Sequence, residues 1–438
     1  MNKPYYPVDA REIKMSIVDS IMGGGKTTAA LQKINRGYGL RFIYVTPFLP
    51  EVDRVLESTR DFYQPKELGS GKLDSLHDLL CDGKNIVCTH ALFLRATKET
   101  MKLIYHGKYI LILDEALEIL HEYNSVVPVN KQVNDKTVKW LIKTDSLKVD
   151  DCFNACWNGD EEDGFQFSEI VKFSENRTLR CVRNNLYVEY DPEIFRTFQQ
   201  IYVLTYLFKG SMLDFFFKMH GFQYEMLSAK RTDEGKFEFC EYNNEQEMKK
   251  QFARLITIYD GPYNALGRDN PTAYSIKWLK KRTPEDIDLI KKNMRNYKNS
   301  VNAASDDVMW TTSINGGIRE KLMQKGFKYT KKLTAEEKKL PEKELRKQCQ
   351  FVACNARAVN DFANRHTLMY MLNRYFNPNL EDFFSVRGYK LDEDQFALSE
   401  LLQWIWRSAI RNGEPINLYI PSVRMRNLLQ NWLGIEAA

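Results

Sequence analysis

The stretch Ser20-Ile21-Met22-Gly23-Gly24-Gly25-Lys26-Thr27-Thr28 leaves this chain few folds to choose from. An apolar run, Met15 to Val18, leads into it, and a helix-like segment from Thr27 to Ile34 leads out and stops near Gly37. A strand, a glycine turn and a helix opening on Lys-Thr build a loop whose backbone N–H groups and helix N-terminus converge on phosphate oxygens. Lys26 supplies a point charge for the β- and γ-phosphates, and Thr27 a hydroxyl for Mg2+. Gly23, Gly24, Gly25, Lys26, Thr27 and Thr28 are therefore the expected nucleotide contacts. The general pattern asks for glycine six residues before the lysine, where this chain has Ser20. The match is to the variant A-x-x-G-x-G-K-[ST], with Ser in place of Ala. The expectation is a nucleoside-triphosphate site with Mg2+.

At 438 residues the chain has room for two or three domains. With 43% hydrophobic and 28% charged residues, its composition is that of a globular protein rather than a disordered one. A formal charge of +5 is mild, so a nucleic-acid role has to come from local basic patches. No apolar run approaches the roughly 20 residues of a membrane span, and the first residues lack the apolar core of a secretory signal. Eight cysteines with no C-x-x-C spacing point to free thiols in a reducing cytoplasm rather than to disulfides or zinc.

Further strands alternate with helices along the first half. Arg41 to Thr46 reads as a buried parallel strand ended by Pro47. Thr46-Pro47 sits at its carboxyl end, where open α/β sheets place ligands; a plain turn and a nucleic-acid contact are both open readings. Gly69-Ser70-Gly71-Lys72 imitates a second phosphate loop but has no strand before it. Asn85 to Thr89 is the next strand, followed by His90, a capping or core polar residue or else a phosphodiester contact. Tyr109 to Leu113 then delivers Asp114 and Glu115 to a carboxyl end. In phosphate-loop enzymes the first such carboxylate holds Mg2+ and the second orients or deprotonates the attacking water. Residues 125–195 read as an insertion with solvated loops. Ile201 to Leu207 is another strand, and the pattern restarts after Gly221, placing a domain boundary in 225–245.

In the second half, Thr283-Pro284-Glu285 carries the cap, first-position and acidic signals of a helix start. Val308 to Thr312 resembles a strand with a polar end. Phe351 to Cys354 leads into Asn355, Arg357 and Asn360, polar groups suited to a phosphodiester backbone or the nucleotide. Gln403, Arg407 and Arg411 are spaced i, i+4, i+8, one face of a helix expected to end at Gly413. The other positions there are apolar, so the arginines are expected to be buried and to need an anion. A γ-phosphate supplies one, with Arg407 or Arg411 as an arginine finger.

In order, these segments resemble the motif series of superfamily 2 helicases and translocases. Ser20 to Thr27 looks like motif I, Tyr44 to Pro47 like motif Ia, and Asp114-Glu115-Ala116-Leu117 like the DExx box. Leu204-Thr205 is similar to motif III, Asn355 to Asn360 lies where motif V belongs, and Gln403 with Arg407 and Arg411 looks like motif VI. The second half further suggests the DEAD-like helicases of bacteriophages and prophages. Arg407 and Arg411 are four apart where motif VI has three, and motif III lacks its usual Ser-Ala-Thr. The resemblance implies an α/β chain of two tandem RecA-like domains, 1–225 and 226–438, with ATP in a cleft between them. It implies ATP-dependent movement on single-stranded or forked DNA, or on RNA, in phage replication or recombination. Replication proteins would be partners, in the host cytoplasm and away from membrane. Two other classes are a packaging motor with a nuclease, whose carboxylates would be Asp392, Glu393 and Asp394, and an ATP-switched loader or scaffold.

Overall fold

The computed structural model describes residues 13–67, 71–160, 166–243, 245–324, 327, 349–354 and 361–435. The chain forms two compact units. The first comprises the stretch up to Ser20, Gly25–Tyr242 and Phe376–Asp392; the second comprises Ile21–Gly24, Asn243–Tyr375 and the chain from Glu393 onward. The strands of the first unit are β1 (Lys14–Asp19), β2 (Arg41–Thr46), β3 (Phe62–Tyr63), β4 (Asn85–Thr89), β5 (Tyr109–Asp114), β6 (Leu120–Glu122), β7 (Leu147–Val149), β8 (Ala155–Trp157), β9 (Leu179–Val182), β10 (Asn185–Glu189), β11 (Gln200–Thr205), β12 (Glu225–Arg231) and β13 (Phe237–Glu241). Those of the second are β14 (Ile256–Ile258), β15 (Val308–Thr311), β16 (Thr367–Tyr370) and β17 (Ile416–Tyr419).

The main sheet of the first unit has the order β13-β12-β1-β11-β5-β2-β4-β3. Every pairing in it is parallel except the β12–β13 hairpin at one edge. β5 is buried at all six positions, and β1 and β2 at all but their first. Burial on both faces is why these strands are continuous apolar runs rather than alternating ones. Covering helices supply the other half of the core: Lys26–Arg36 buries Ala29, Ala30, Leu31 and Ile34, and Leu49–Ser58 buries Val52 and Val55. Parallel pairing brings the carboxyl ends of β1, β11, β5, β2 and β4 to one edge, and β11 separates the phosphate-loop strand β1 from the carboxylate strand β5. The first unit runs past residue 225 because β12 pairs with β1 and its hairpin closes the sheet.

The region between β5 and β11 is more regular than its sequence suggests. β6, β10 and β9 form a three-stranded antiparallel sheet and β7–β8 a hairpin. They share a core that includes Tyr123, Val138, Leu141, Leu147, Ile170, Leu179 and Leu186. The helix Pro378–Ser385, from far along the chain, packs here too. Tyr187 donates to the Asn379 carbonyl at 2.9 Å and its ring lies 5.2 Å from that of Phe383. Arg183 pairs with Asp382 at 2.5 Å, and the Arg387 guanidinium covers Phe383 and Phe153.

The second unit is built on a parallel sheet in the order β14-β17-β16-β15. The helix Pro284–Ser300 starts as its sequence predicts, with the Thr283 side chain accepting from the Asp286 amide. It buries Ile287, Ile290, Met294 and Tyr297, and Tyr297 stacks on Tyr419 of β17 at 5.1 Å. Both units are thus parallel sheets flanked by helices, and the protein is an α/β chain of two tandem RecA-like units. Among the described residues no helix is long and apolar enough to cross a membrane.

The amino ends of β15, β16 and β17 are clasped by one imidazole. His366 Nδ1 lies 2.8 Å from Asp307 Oδ1, and Nε2 lies 3.0 Å from Glu414 Oε2. Thr367 donates to the second oxygen of Asp307 at 2.8 Å. Partial burial opposes the charge on His366, but hydrogen bonds to the two carboxylates outweigh it and hold its pKa above the ordinary value. The folded state therefore binds this proton more tightly than the unfolded chain does. The stabilisation is complete below the unfolded imidazole value and is lost as pH rises through the folded one. Urea unfolding of the wild type should lose more midpoint between pH 6 and 8.5 than His366→Gln does. Identical pH profiles would remove the clasp from the account.

Candidate functional site

The phosphate-loop segment adopts the geometry its glycines allow. Gly23 has φ +82°, and Gly25 has φ +86° and ψ +14° immediately before the helix Lys26–Arg36. Other residues pay strain in that left-handed region, and a Cβ on Gly25 would meet Phe237 of β13 at 2.0 Å. Ser20, where the variant pattern has Ala, is fully buried and has a structural use. Its hydroxyl accepts from the Ala229 amide of β12 at 2.8 Å, and its own amide donates to the Thr205 carbonyl at 3.1 Å. The loop's start is thereby bonded to both neighbours of β1. The Lys26 ammonium donates to the Ser20 carbonyl, which holds it over the loop.

Two strands away, Asp114 ends β5 buried. Its Oδ2 accepts from the Tyr44 hydroxyl at 2.6 Å and lies 3.4 Å from the Thr27 hydroxyl. Burial is the largest influence on this carboxyl and pushes its pKa up to about 6; the Tyr44 hydrogen bond works against that rise and the Glu115 charge adds to it. Glu115 itself has φ +67°, uncommon for a residue with a side chain, while its amide donates to the Leu204 carbonyl of β11 at 2.9 Å. The chain leaves the strand at that kink, so Asp114 stays buried while the partly exposed Glu115 sits past the strand end. His90 Nε2 lies 2.9 Å from the Asp114 carbonyl, tying the end of β4 to the end of β5. Asp19 ends β1, and its carboxylate accepts from the Leu207 and Phe208 amides at 2.8 and 3.1 Å.

The other expected site residues are placed less uniformly. Thr46 is fully buried at the end of β2, in register with Thr89, and its hydroxyl has no hydrogen-bond partner among the described residues. Pro47 follows at partial exposure. Asn355, Arg357 and Asn360 lie outside the described residues. Gln403 is on the helix Glu393–Ile405, but that helix stops before Arg407, and Arg411 lies in a separate short helix, Ala409–Asn412. Ser408 is extended, and the Ala409 amide donates at 3.0 Å to the Arg365 carbonyl instead of continuing the helical ladder. The expected single face of one helix is therefore not formed. Gly413 still caps, in the left-handed conformation, but it caps the short segment. Arg407 is buried as expected, and Arg411 is partly exposed.

The donors at the sheet edge suit a nucleoside triphosphate and its cation. A hydroxyl and a carboxylate 3.4 Å apart are hard oxygen ligands of the kind Mg2+ takes, with water and phosphate completing its shell. The glycine turn, the Lys26 ammonium and the first turn of the following helix suit the phosphates.

Residues 250–433 match the family model described as the YonV C-terminal Rossmann-like domain. Over 437 residues the chain is 35% identical to the SPbeta prophage-derived uncharacterized protein YonV of Bacillus subtilis (strain 168), an alignment covering 96% of this chain and 98% of the relative. The chain belongs to the YonV family. Among solved structures, an XPD helicase is similar with a TM-score of 0.49 at 13% identity, covering 97% of this chain and 96% of its own. S. tokodaii Xpd4 is similar with a TM-score of 0.47 at 12% identity, covering 97% of this chain and 94% of its own. At that distance the chemistry has to be read from this chain's own residues.

Asp19 is a site residue that sequence reasoning passed over, and Ser20 and Tyr44 stood in it only as the first residues of motifs I and Ia, without the bonds they make here. Tyr44 stood inside a continuous apolar run, where nothing distinguishes a tyrosine that packs from one whose hydroxyl is aimed at a carboxylate. A raised carboxyl pKa makes a stability statement. Asp114 binds its proton more tightly folded than unfolded, so its contribution is most favourable below the unfolded value and is lost as pH rises through about 6. At pH 7.5 the ligand-free wild type therefore carries a buried charge that Asp114→Asn lacks, while the amide oxygen keeps the Tyr44 bond. The variant is expected to be more stable by on the order of 2 kcal/mol at pH 7.5 without nucleotide or metal, and no more stable at pH 4. Denaturant titrations at the two pH values measure this, and equal stability at both would contradict it.

Proposed function

We propose that this chain is a nucleoside-triphosphate hydrolase of the helicase or translocase type, driven by ATP with Mg2+ and acting on DNA. The observation that carries the reading is the approach of the Thr27 hydroxyl to the Asp114 carboxylate across the carboxyl edge of a parallel sheet. Such an approach of a phosphate-loop hydroxyl and a strand-end acid has a ready use in sharing one cation. Thr27 and Asp114 would hold Mg2+, and Gly23, Gly24, Gly25, Lys26, Thr27 and Thr28 the phosphates, with Gln403 a further nucleotide contact. When bound, the cation neutralises charge that develops on the phosphoryl oxygens.

The protein's own groups then have distinct tasks. Lys26 brings a positive charge to the β- and γ-phosphates. Tyr44 orients Asp114 by occupying one lone pair of Oδ2, leaving the rest of the carboxylate for the metal side. Glu115, carried off the strand by its left-handed backbone, accepts a proton from the attacking water or orients it. Arg407 and Arg411 are the groups proposed to sense the terminal phosphate. Thr46, Pro47 and His90, with Asn355, Arg357 and Asn360, are the proposed contacts to the nucleic-acid strand. A prophage-derived relative supports a phage setting, and the place proposed there is DNA replication or recombination in the bacterial host's cytoplasm.

The test is steady-state ATP hydrolysis with no polymer, single-stranded DNA, forked DNA and RNA. One polymer is expected to stimulate turnover at least tenfold. Glu115→Gln should lower stimulated turnover by about 10^2-fold or more while retaining nucleotide binding, and Lys26→Ala should lose tight binding as well. Full turnover by Glu115→Gln would sink the assigned mechanism. An active wild type indifferent to every polymer would replace the motor with a switch or loader.

A further inference from the structure

The insertion after β5 carries a surface that the nucleotide motifs do not use. Its helix Asp135–Lys143 turns Val138 and Leu141 into the insertion's core. On the opposite side, at 100° per residue, stand Lys136, Lys139, Trp140 and Lys143, all exposed. Trp140 is 48% exposed, although its indole would contribute much buried apolar area in a core. No carboxylate pairs with these three lysines among the described residues, and nearby Asp145 pairs with Lys148 instead.

We propose that this face binds a single strand of nucleic acid, with the lysines on phosphates and Trp140 stacked on an unpaired base. The choice follows from the chemistry. Lysines alone would suit any polyanion, including an acidic protein surface. An exposed indole flanked by them is a stacking platform of the kind single-strand binders use, and a base inside a duplex has no free face for it. The inference rests on the motor reading above for a strand to be present, and it adds a second contact for that strand outside the proposed motifs.

The experiment uses the full chain and a fluorescently labelled oligo-dT of about 20 nucleotides, titrated across a salt series. The variants are Lys136→Glu/Lys139→Glu/Lys143→Glu, Trp140→Ala and Trp140→Phe. The charge variant is expected to bind at least tenfold more weakly, with a log-affinity against log-salt slope shallower by about 2, since each lost phosphate contact removes roughly 0.7. Trp140→Ala should weaken binding about tenfold, Trp140→Phe should restore most of it, and wild-type tryptophan emission should fall on binding. Unstimulated ATP hydrolysis, unchanged in all three, reports that the fold is intact. If the wild type binds and is stimulated while the variants match it in affinity and salt slope, this proposal fails and the motor reading stands. If the wild type binds no polymer, both fail together.

Discussion

A charged carboxylate buried at the end of a strand is the constraint around which the first unit is arranged. Asp114 meets it with a short bond from Tyr44, a hydroxyl from Thr27 within reach, and burial that lifts its pKa to about 6. None of these partners is local. Tyr44 comes from β2 on one side and Thr27 from the helix after β1, across β11 on the other. The contact exists only because strand register aligns Val45 with Leu113 and Leu204 with Asp114. A slip of one residue between β2 and β5 would turn the Tyr44 phenol to the opposite face, and one between β11 and β5 would shift Asp114 away from the loop strand's register. The register is itself maintained by burial on both faces, so the apolar runs that build the core also position the polar groups at its edge.

The same edge explains why Ser20 tolerates a position usually given to a smaller residue. A buried hydroxyl without a partner would be costly there. The Ala229 amide provides the partner, and in doing so bonds the loop to β12. Asp19, one residue earlier, performs the equivalent task for the turn after β11 by accepting from two consecutive amides. The loop is thus anchored at its root by side chains, while Gly23 and Gly25 keep the remainder close to pure backbone. That division suits an anion site, which needs N–H groups fixed in direction and no Cβ atoms in the way.

Much of this was legible in the chain before its structure. Continuous apolar runs identified β1, β2, β5 and β11, because a strand buried on both faces has little room for polar residues. Asp114-Glu115 was legible for the same reason, as the abrupt end of such a run. Three features were not. The helix through Gln403 was expected to reach Gly413, since Leu402, Ile405, Trp406, Ala409 and Ile410 keep a helical period. A carbonyl from Arg365, distant in sequence, captures the Ala409 amide and ends it earlier. The region 125–195 was read as solvated loops because strands of three to five residues give a weak periodic signal. Its packing with Pro378–Ser385 depends on Tyr187, Phe383 and Asp382, a meeting that no local pattern encodes.

The stability cost at Asp114 bears on what kind of protein this is. A buried carboxylate with one strong donor is under-compensated when ligand-free, and an isosteric amide would satisfy Tyr44 without the charge. A chain under pressure only to fold has no reason to hold that charge beside a left-handed Glu115 and a lysine turned onto its own loop. Such features are what the proposed cation and phosphate site would use, and folding alone does not call for them. The small antiparallel insertion shows the opposite balance. Its core is closed by ordinary apolar packing and by the Arg180–Glu189 pair at 2.6 Å, and its exposed helix face is free of any structural duty among the described residues. Local instability at the sheet edge and a settled, decorated insertion are therefore two forms of the same division of labour. Residues proposed for chemistry sit where folding alone would not place them, and residues proposed for contact sit where folding does not need them.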